Sequence, residues 1–385
     1  MGHIEGTARS PEGPAAGLIL QFGTSRFLQA HVDLIVHEAR ADGQHVPDII
    51  IVQTSGSAAR AGRVAAFADP AGFPVIVRGI EDGVPVERQT QVRSVVDGLS
   101  VQGDWARVVD LFVNQTRFVV SNTGDRGYDL NADDHAGALD ITAPRASFPG
   151  KLAQLLYARW QAGRPGLVIL PCELINGNGP ILKNLIRDLA RDAADGADFL
   201  SWLDTQVVMP ATLVDRIVSE PLAPAGAVAE PYVLWAIQDV PGLTLPCRHP
   251  AIVVADSLEP HERLKLHILN LGHTVLADIW LTGDRATDET VRAILADADV
   301  AAQLDHIYRT EVLPGFAAHG MADAAATYLD TTMTRFANPY LDHRIADIAG
   351  NHAQKVDRRI AAFLAWAGTH APQLSRIVER HEVKA

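Results

Sequence analysis

The chain has 385 residues, 48% of them hydrophobic, enough to build cores for two domains. Its 46 Asp and Glu against 33 Lys and Arg leave a formal net charge of −13. That balance argues against a general nucleic-acid binder, whose affinity rests on cations neutralising phosphates, and favours small molecules or proteins as partners. Only two cysteines occur, Cys172 and Cys247, and no apolar run reaches the ~18 residues of a membrane span, so a cytoplasmic chain without structural disulfides and without a membrane partner is expected.

The opening MGHIEGTARSPEGPAAG lacks an apolar stretch behind a basic start and reads as a loose leader, not a secretory signal. GLILQFG, 17–23, is a short apolar run closed by glycine, and RFLQAHVDLIVHEAR follows with helical spacing at Phe27, Leu28, Val32, Ile35 and Val36. DIIIVQTSG, 48–56, repeats the strand signal, as a βαβ unit requires. Further buried-type strands are expected at 117–124, 166–173 and 205–210, with helices at 150–162 and 179–194 between them. The segment 74–98 alternates around Glu81-Asp82-Gly83 and predicts a hairpin attached to the sheet. EPLAPAGAVAEP, 220–231, reads from its Pro and Ala content as a surface loop.

After residue 258 the strand signals stop, and 259–282, 287–310 and 342–367 read as helices. The expected class is therefore α/β, a Rossmann-like doubly wound sheet with added strands over 1–258, followed by an all-helical domain over 259–385.

A glycine closing the first strand directly before a helix offers backbone N–H groups to an anion such as a dinucleotide pyrophosphate. Gly23, Thr24, Ser25, Arg26 and Phe27 form that turn, although Ser25 stands where a second glycine is usual, and a merely structural turn is the alternative. Gln53 ends the second strand where an acidic residue usually holds the ribose. An amide there still suits NAD, while Arg60 and Arg63 are the nearby cations that a preference for NADP would need.

The helix EPHERLKLHILNLGHTVLADIW raises the chemical question, because polar residues interrupt an apolar face. On an α-helical wheel with Lys265 at zero, Glu262 falls near ~60°, His273 near ~80° and Asn270 near ~140°, whereas Leu264, Ile268, Leu271 and Val275 take the opposite side. The plain alternative is a surface helix carrying a Glu262–Lys265 pair and an incidental histidine. Against it, Asn270 is a poor helix former among leucines. The polar set suits alcohol oxidation, with Lys265 as base and Asn270 and His273 as donors to the developing alkoxide. A lysine serves as base only where burial or a neighbouring cation brings its pKa down from ~10.4 toward neutrality.

The Lys265, Asn270, His273 spacing resembles the signature of the polyol-specific long-chain dehydrogenases, the group of mannitol 2-dehydrogenase, fructuronate reductase and tagaturonate reductase. The resemblance extends over nearly the whole chain. It implies NAD-dependent interconversion of a secondary alcohol and a ketone on a linear sugar acid or polyol, with no catalytic metal. FVVSNTGDRGYDL resembles the strand end under the nicotinamide and nominates Asn122 and Thr123. MPATLVDRIV matches the family's Val-Asp-Arg element, which implies Asp215 beside the lysine, with Arg216 next to it proposed to meet substrate. Glu262 matches an acid that relays the proton, and Lys355 a substrate-binding lysine. Mannitol-type members carry Cys-Asp-Asn where Cys172, Glu173 and Leu174 stand here, so Asn176 or Asn178 is left to replace that asparagine. Asp347 likewise takes the place of their arginine, and LPCELINGNG looks like the tagaturonate reductase branch. The alternatives are a mannitol- or fructuronate-type enzyme, or a nucleotide-sensing protein that kept the sheet and lost turnover.

Fifteen histidines invite a metal search, but the pairs in HEARADGQH and HERLKLH lack i,i+4 geometry with a third ligand. Cys172, at a buried strand end, is expected to be a packed thiol.

Overall fold

The computed structural model describes residues 17–55, 61–124, 127–135, 137 and 139–382. They fall into two compact units: 17–77 with 88–258, and 259–382 with the hairpin tip 78–87. The strands are β1 (Leu18–Phe22), β2 (Asp48–Gln53), β3 (Phe73–Glu81), β4 (Val84–Val92), β5 (Val95–Ser100), β6 (Thr116–Ser121), β7 (Val168–Pro171), β8 (Thr212–Asp215), β9 (Val218–Pro221), β10 (Ala227–Ala229), β11 (Leu234–Gln238) and β12 (Ile252–Ala255).

The main sheet is parallel, in the order β5-β2-β1-β6-β7. Successive side chains of a strand point to opposite faces, so each apolar run supplies two cores. Leu18, Leu20 and Phe22 pack with Val108, Phe112, Leu152 and Ile186 on one side. Ile19, Ile49 and Ile51 pack with Leu34, Ile35 and Val36 on the other. This is the expected doubly wound sheet.

Three expectations about the added segments are corrected. The hairpin β3–β4 turns at Asp82-Gly83 as expected, but it belongs to a separate sheet ordered β4-β3-β10-β9, not to the parallel one. The stretch 220–231 is a surface loop only in part: Ala223 and Pro224 are exposed between β9 and β10, but Ala225, Ala227, Val228 and Ala229 are buried. Alanine-rich sequence suggests a loop by composition, yet small side chains are what a strand needs when it is enclosed between β3 and β9. The third expectation, a strand at 205–210, reduces to a single bridge from Val208 to Val168.

The second unit is helical apart from the hairpin tip it includes. Helices Glu259–Leu264 and Leu271–Thr282 are joined without a break by a π-helical segment, Lys265–Asn270. Two more π segments, Tyr308–Val312 and Asp357–Ala361, interrupt other helices of this unit. Helices Ala322–Phe336 and Pro372–Glu382 went unpredicted. The first buries a stripe of Ala325, Leu329, Thr332 and Phe336, spaced for a helix but too poor in large apolar residues to stand out. No helix of the described residues is long and apolar enough to cross a membrane.

Candidate functional site

In the first unit the strand ends meet at Gly23. Its φ of +113° and a carbonyl, that of Asn122, only 2.4 Å from where a Cβ would sit require glycine there. Ser25 caps the next turn, its Oγ accepting from the Leu28 N–H at 3.2 Å. That helix is only Arg26–Gln29, and the chain bends before Val32–Ala41, where the sequence suggested one continuous helix. Phe27 stacks on His31 at 4.8 Å. Arg26 donates to the carbonyls of Gly226 (2.9 Å) and Pro224 (3.0 Å), and burial with the nearby Arg63 charge brings its pKa down to about 10. Its guanidinium thus ties the turn to the second sheet.

Gln53 is buried and donates to the Ser55 carbonyl, while Arg63 donates to the Thr24 carbonyl at 2.9 Å. Arg60 lies outside the described residues. Asn122 donates to the Cys172 carbonyl at 2.7 Å, and Thr123 gives both its N–H and its hydroxyl to Glu173 Oε1 at 3.1 and 3.0 Å. Glu173 also accepts from Ser121 and Tyr128, so a buried carboxylate clamps the end of β6. Burial pushes its pKa up, and these bonds offset part of the rise. Cys172 is buried, with its thiol likewise pushed up by burial, as a packed thiol should be.

Beside these strand ends opens a cleft of about 360 Å³ lined by Thr54, Ser55, Thr123, Asn131, Ser147 and Lys151 among others. Open α/β sheets bind ligands at this end of their strands. The ammonium of Lys151 donates to the Ala146 carbonyl at 2.6 Å, and burial lowers its pKa to about 8. Sequence reading passed over Lys151, although a lone lysine in the apolar run FPGKLAQLL was the available signal.

Two nominated substrate residues in this unit are committed to the fold. Asn178 is fully buried; its Nδ2 is within reach of the carbonyls of Pro171, Glu173 and Thr212, and its Oδ1 accepts from the N–H groups of Gly179 and Thr212. Arg216 is buried and donates to Ala30 O at 2.6 Å and Glu230 O at 3.0 Å. Their surroundings count against contact with substrate. Asp215 is buried at the end of β8, paired in register with Leu234.

In the helical unit the π segment changes the wheel on which the polar face was drawn. An i→i+5 helix turns less per residue than an α-helix, so Asn270 lies nearer the Lys265 side than ~140°. Both are half-buried, as is Glu262. Side chains take up the carbonyls of the segment: the distant Tyr308 Oη donates to Ile268 O at 2.8 Å, and the neighbouring Thr274 Oγ1 and distant Arg359 Nη1 reach Asn270 O at 2.9 and 3.4 Å. Burial and the neighbouring Glu259 raise the Glu262 pKa, against the pull of Arg263. That shift suits a carboxyl that carries protons.

His273 is buried against Phe336, ring centroids 4.6 Å apart, and edge-on to His343 at 5.0 Å. Burial, then the charges of His343, Arg359, Arg335 and Lys355, hold it well below the ordinary imidazole range, so it is neutral at pH 7. A neutral imidazole still donates one hydrogen bond. Lys355 donates to Ile348 O at 2.7 Å, and burial and Arg359 lower its pKa. Arg335, His343 and Arg359 carried no signature in the sequence.

A parallel nucleotide-binding sheet joined in sequence to a helical unit defines a two-domain dehydrogenase class. Residues 18–245 match the mannitol dehydrogenase Rossmann domain and residues 257–379 the mannitol dehydrogenase C-terminal domain, and the chain belongs to the mannitol dehydrogenase family. It is an oxidoreductase acting on the CH–OH groups of a polyol or sugar acid. The altronate oxidoreductase of Cronobacter sakazakii is 30% identical over 387 residues, covering 93% of this chain and 77% of that protein. That of Bacillus subtilis is 28% identical over 366 residues, covering 89% and 73%. Among solved structures, a substrate-free D-sorbitol dehydrogenase aligns with TM-score 0.75 and 20% identity, covering 92% of this chain and 77% of the other. Pseudomonas fluorescens mannitol 2-dehydrogenase, in ternary complex with NAD and D-mannitol, aligns at 0.68 and 19%, covering 95% and 79%. These two establish likeness of fold.

The buried histidines also set an acid limit. His267 is buried beside Phe363 and Trp366, and burial, against a hydrogen bond to the Arg359 carbonyl, lowers its pKa to about 4. The unfolded chain takes that proton near pH 6.5 and the folded one only near 4, so stability is complete above 6.5 and falls as pH drops between the two. One such group accounts for about 3 kcal/mol. Urea unfolding at pH 7 and pH 4.5 should show the loss, and His267→Leu should make it smaller by roughly 2 kcal/mol. An unchanged pH dependence in the variant would refute this assignment.

Proposed function

We propose that the chain is an NAD-dependent oxidoreductase of a linear hexuronate, with tagaturonate and altronate as the leading ketone and alcohol pair. The observation that carries this is the set of cations around His273: Arg335, Lys355 and Arg359. A neutral polyol has no use for such a concentration of positive charge, whereas a sugar carboxylate does. The altronate oxidoreductase relatives support the same substrate class.

In this reading Lys265 takes the carbinol proton, Asn270 and neutral His273 donate to the oxygen that becomes negative, and Glu262 passes the proton toward water. Lys355, with Arg359 behind it, meets the carboxylate. The bound dinucleotide supplies the hydride acceptor. Gly23 to Phe27, Gln53, Asn122 and Thr123 would hold it, and the cleft with the Lys151 ammonium and the hydroxyls of Thr54, Ser55 and Thr123 fits its polar groups. Because Arg63 is engaged on the Thr24 carbonyl, NADH is expected over NADPH. Of the two amides nominated on this loop, Asn176 is the exposed one.

The test is a panel read by reduced-nicotinamide absorbance. Hexuronates should exceed the matching neutral ketoses in kcat/KM by about 10- to 100-fold, the worth of one charge-assisted hydrogen bond of ~1.5–3 kcal/mol. A higher kcat/KM for fructose or mannitol would move the protein to the polyol branch. Absence of turnover with every sugar, but tight dinucleotide binding, would instead indicate a sensor.

A further inference from the structure

We propose that Asp278, His352 and His381 form a binding site for one divalent transition cation, with Zn²⁺ as the fitting probe. The three residues come from separate helices, Leu271–Thr282, His352–Val356 and Pro372–Glu382, and no pair or spacing in the sequence announces them. Asp278 Oδ1 lies 2.9 Å from His381 Nε2 and 3.6 Å from His352 Nε2, and the candidate ligand atoms are all within 4.8 Å of one another. Ligands ~2.0–2.1 Å from a tetrahedral zinc stand roughly 3.4 Å apart. Small side-chain shifts therefore suffice.

The second observation concerns His352. It is 8% exposed, and neither ring nitrogen has a hydrogen-bond partner among the described residues, while Nε2 faces the Asp278 carboxylate. Buried imidazole nitrogens are normally satisfied, because leaving one unmet forfeits its hydration without return. A cation accepting the Nε2 lone pair would satisfy that one of the two nitrogens. His381 packs edge-on against His352 with centroids 4.8 Å apart, so its ring already borders the same space.

Among the described residues, Arg380 is the opposing charge paired with Asp278. It bonds Asp278 Oδ2 and leaves Oδ1 to face the histidines; it is half exposed and free to adjust. A guanidinium on the outer oxygen of a ligating carboxylate is a normal outer partner. Two imidazoles and one carboxylate with a fourth position for water suit zinc, cobalt or nickel better than magnesium or calcium. The role is structural: the ion would cross-link the C-terminal helix to the helix that begins at Leu271, and it is independent of the hexuronate reading.

The experiment is calorimetric titration of the full chain, stripped with EDTA, against Zn²⁺. One site per chain is expected, with affinity at least about 100-fold weaker in a His352→Gln/His381→Gln double variant. At 100 times Kd, zinc should raise Tm by about 3 °C in the parent chain and not in the double variant. His381→Gln alone, on the partly exposed helix, serves if the double variant fails to fold. Arg380→Ala should bind zinc as tightly or more tightly. Turnover at 25 °C should be the same after stripping, which separates this site from the chemistry. Absence of stoichiometric binding, or equal binding by the parent and the histidine variants, overturns the proposal.

Discussion

Replacing Lys265 by alanine is expected to lower kcat by about 10²- to 10⁴-fold, the range that a positioned general base contributes, with little change in NADH affinity. The side chain stands at the first position of the π segment, half-buried, with Glu262 one turn before it. A lysine that merely held the helix would lower Tm when removed and leave kcat alone. Small primary amines added to the Lys265→Ala protein should restore part of the turnover, because they resupply the missing base in the vacated space. A folded variant with near-normal kcat would rule out Lys265 and leave His273 as the next candidate.

Gly272→Ala should be nearly as damaging, for a packing reason. A Cβ at 272 would sit 1.9 Å from Tyr308 Oη, the group that donates to Ile268 O inside the π segment. Either the tyrosine retreats and orphans that carbonyl, or the helix shifts and overpacks. Each route costs about 1–3 kcal/mol. Tm should fall by several degrees, and kcat with it, since Asn270 and His273 flank the disturbed turn. In Gly272→Ala/Tyr308→Phe the offending oxygen is gone, so the second substitution should cost less than it does alone. Strict additivity of the two would mean that Tyr308 does not hold the segment.

Much of the scaffold was legible because its strands are buried on both faces: LILQF and DIIIVQ can hardly be read otherwise. The helix over 259–282 was legible for the same reason, but its π segment was not. Its i→i+5 bonding depends on Tyr308 and Arg359, 40 and 89 residues beyond the carbonyls they serve. Local sequence holds no trace of such partners. The same limit explains Asn178 and Arg216, which matched or neighboured the expected pattern yet reach carbonyls at Thr212 and Ala30. Motif spacing locates a residue without saying whether its polar atoms are spent on backbone or offered to a ligand. Of the cations around His273 the family resemblance offered Lys355 alone, because Arg335 and Arg359 join it only through tertiary packing.

The π segment at Lys265–Asn270 also shifts the phase of its helix. Such a segment behaves as an α-helix holding one surplus residue, so everything beyond it is rotated relative to everything before it by about one residue's turn, ~100°. The two ends of the 259–282 helix are thereby set independently: the beginning directs Glu262 and Lys265, and the end directs Asp278 toward His352 and His381. In a regular helix one of these directions would be turned by about 100° relative to the other. The surplus residue sets the offset between them, and the polar face and the C-terminal anchorage lie on one continuous rod.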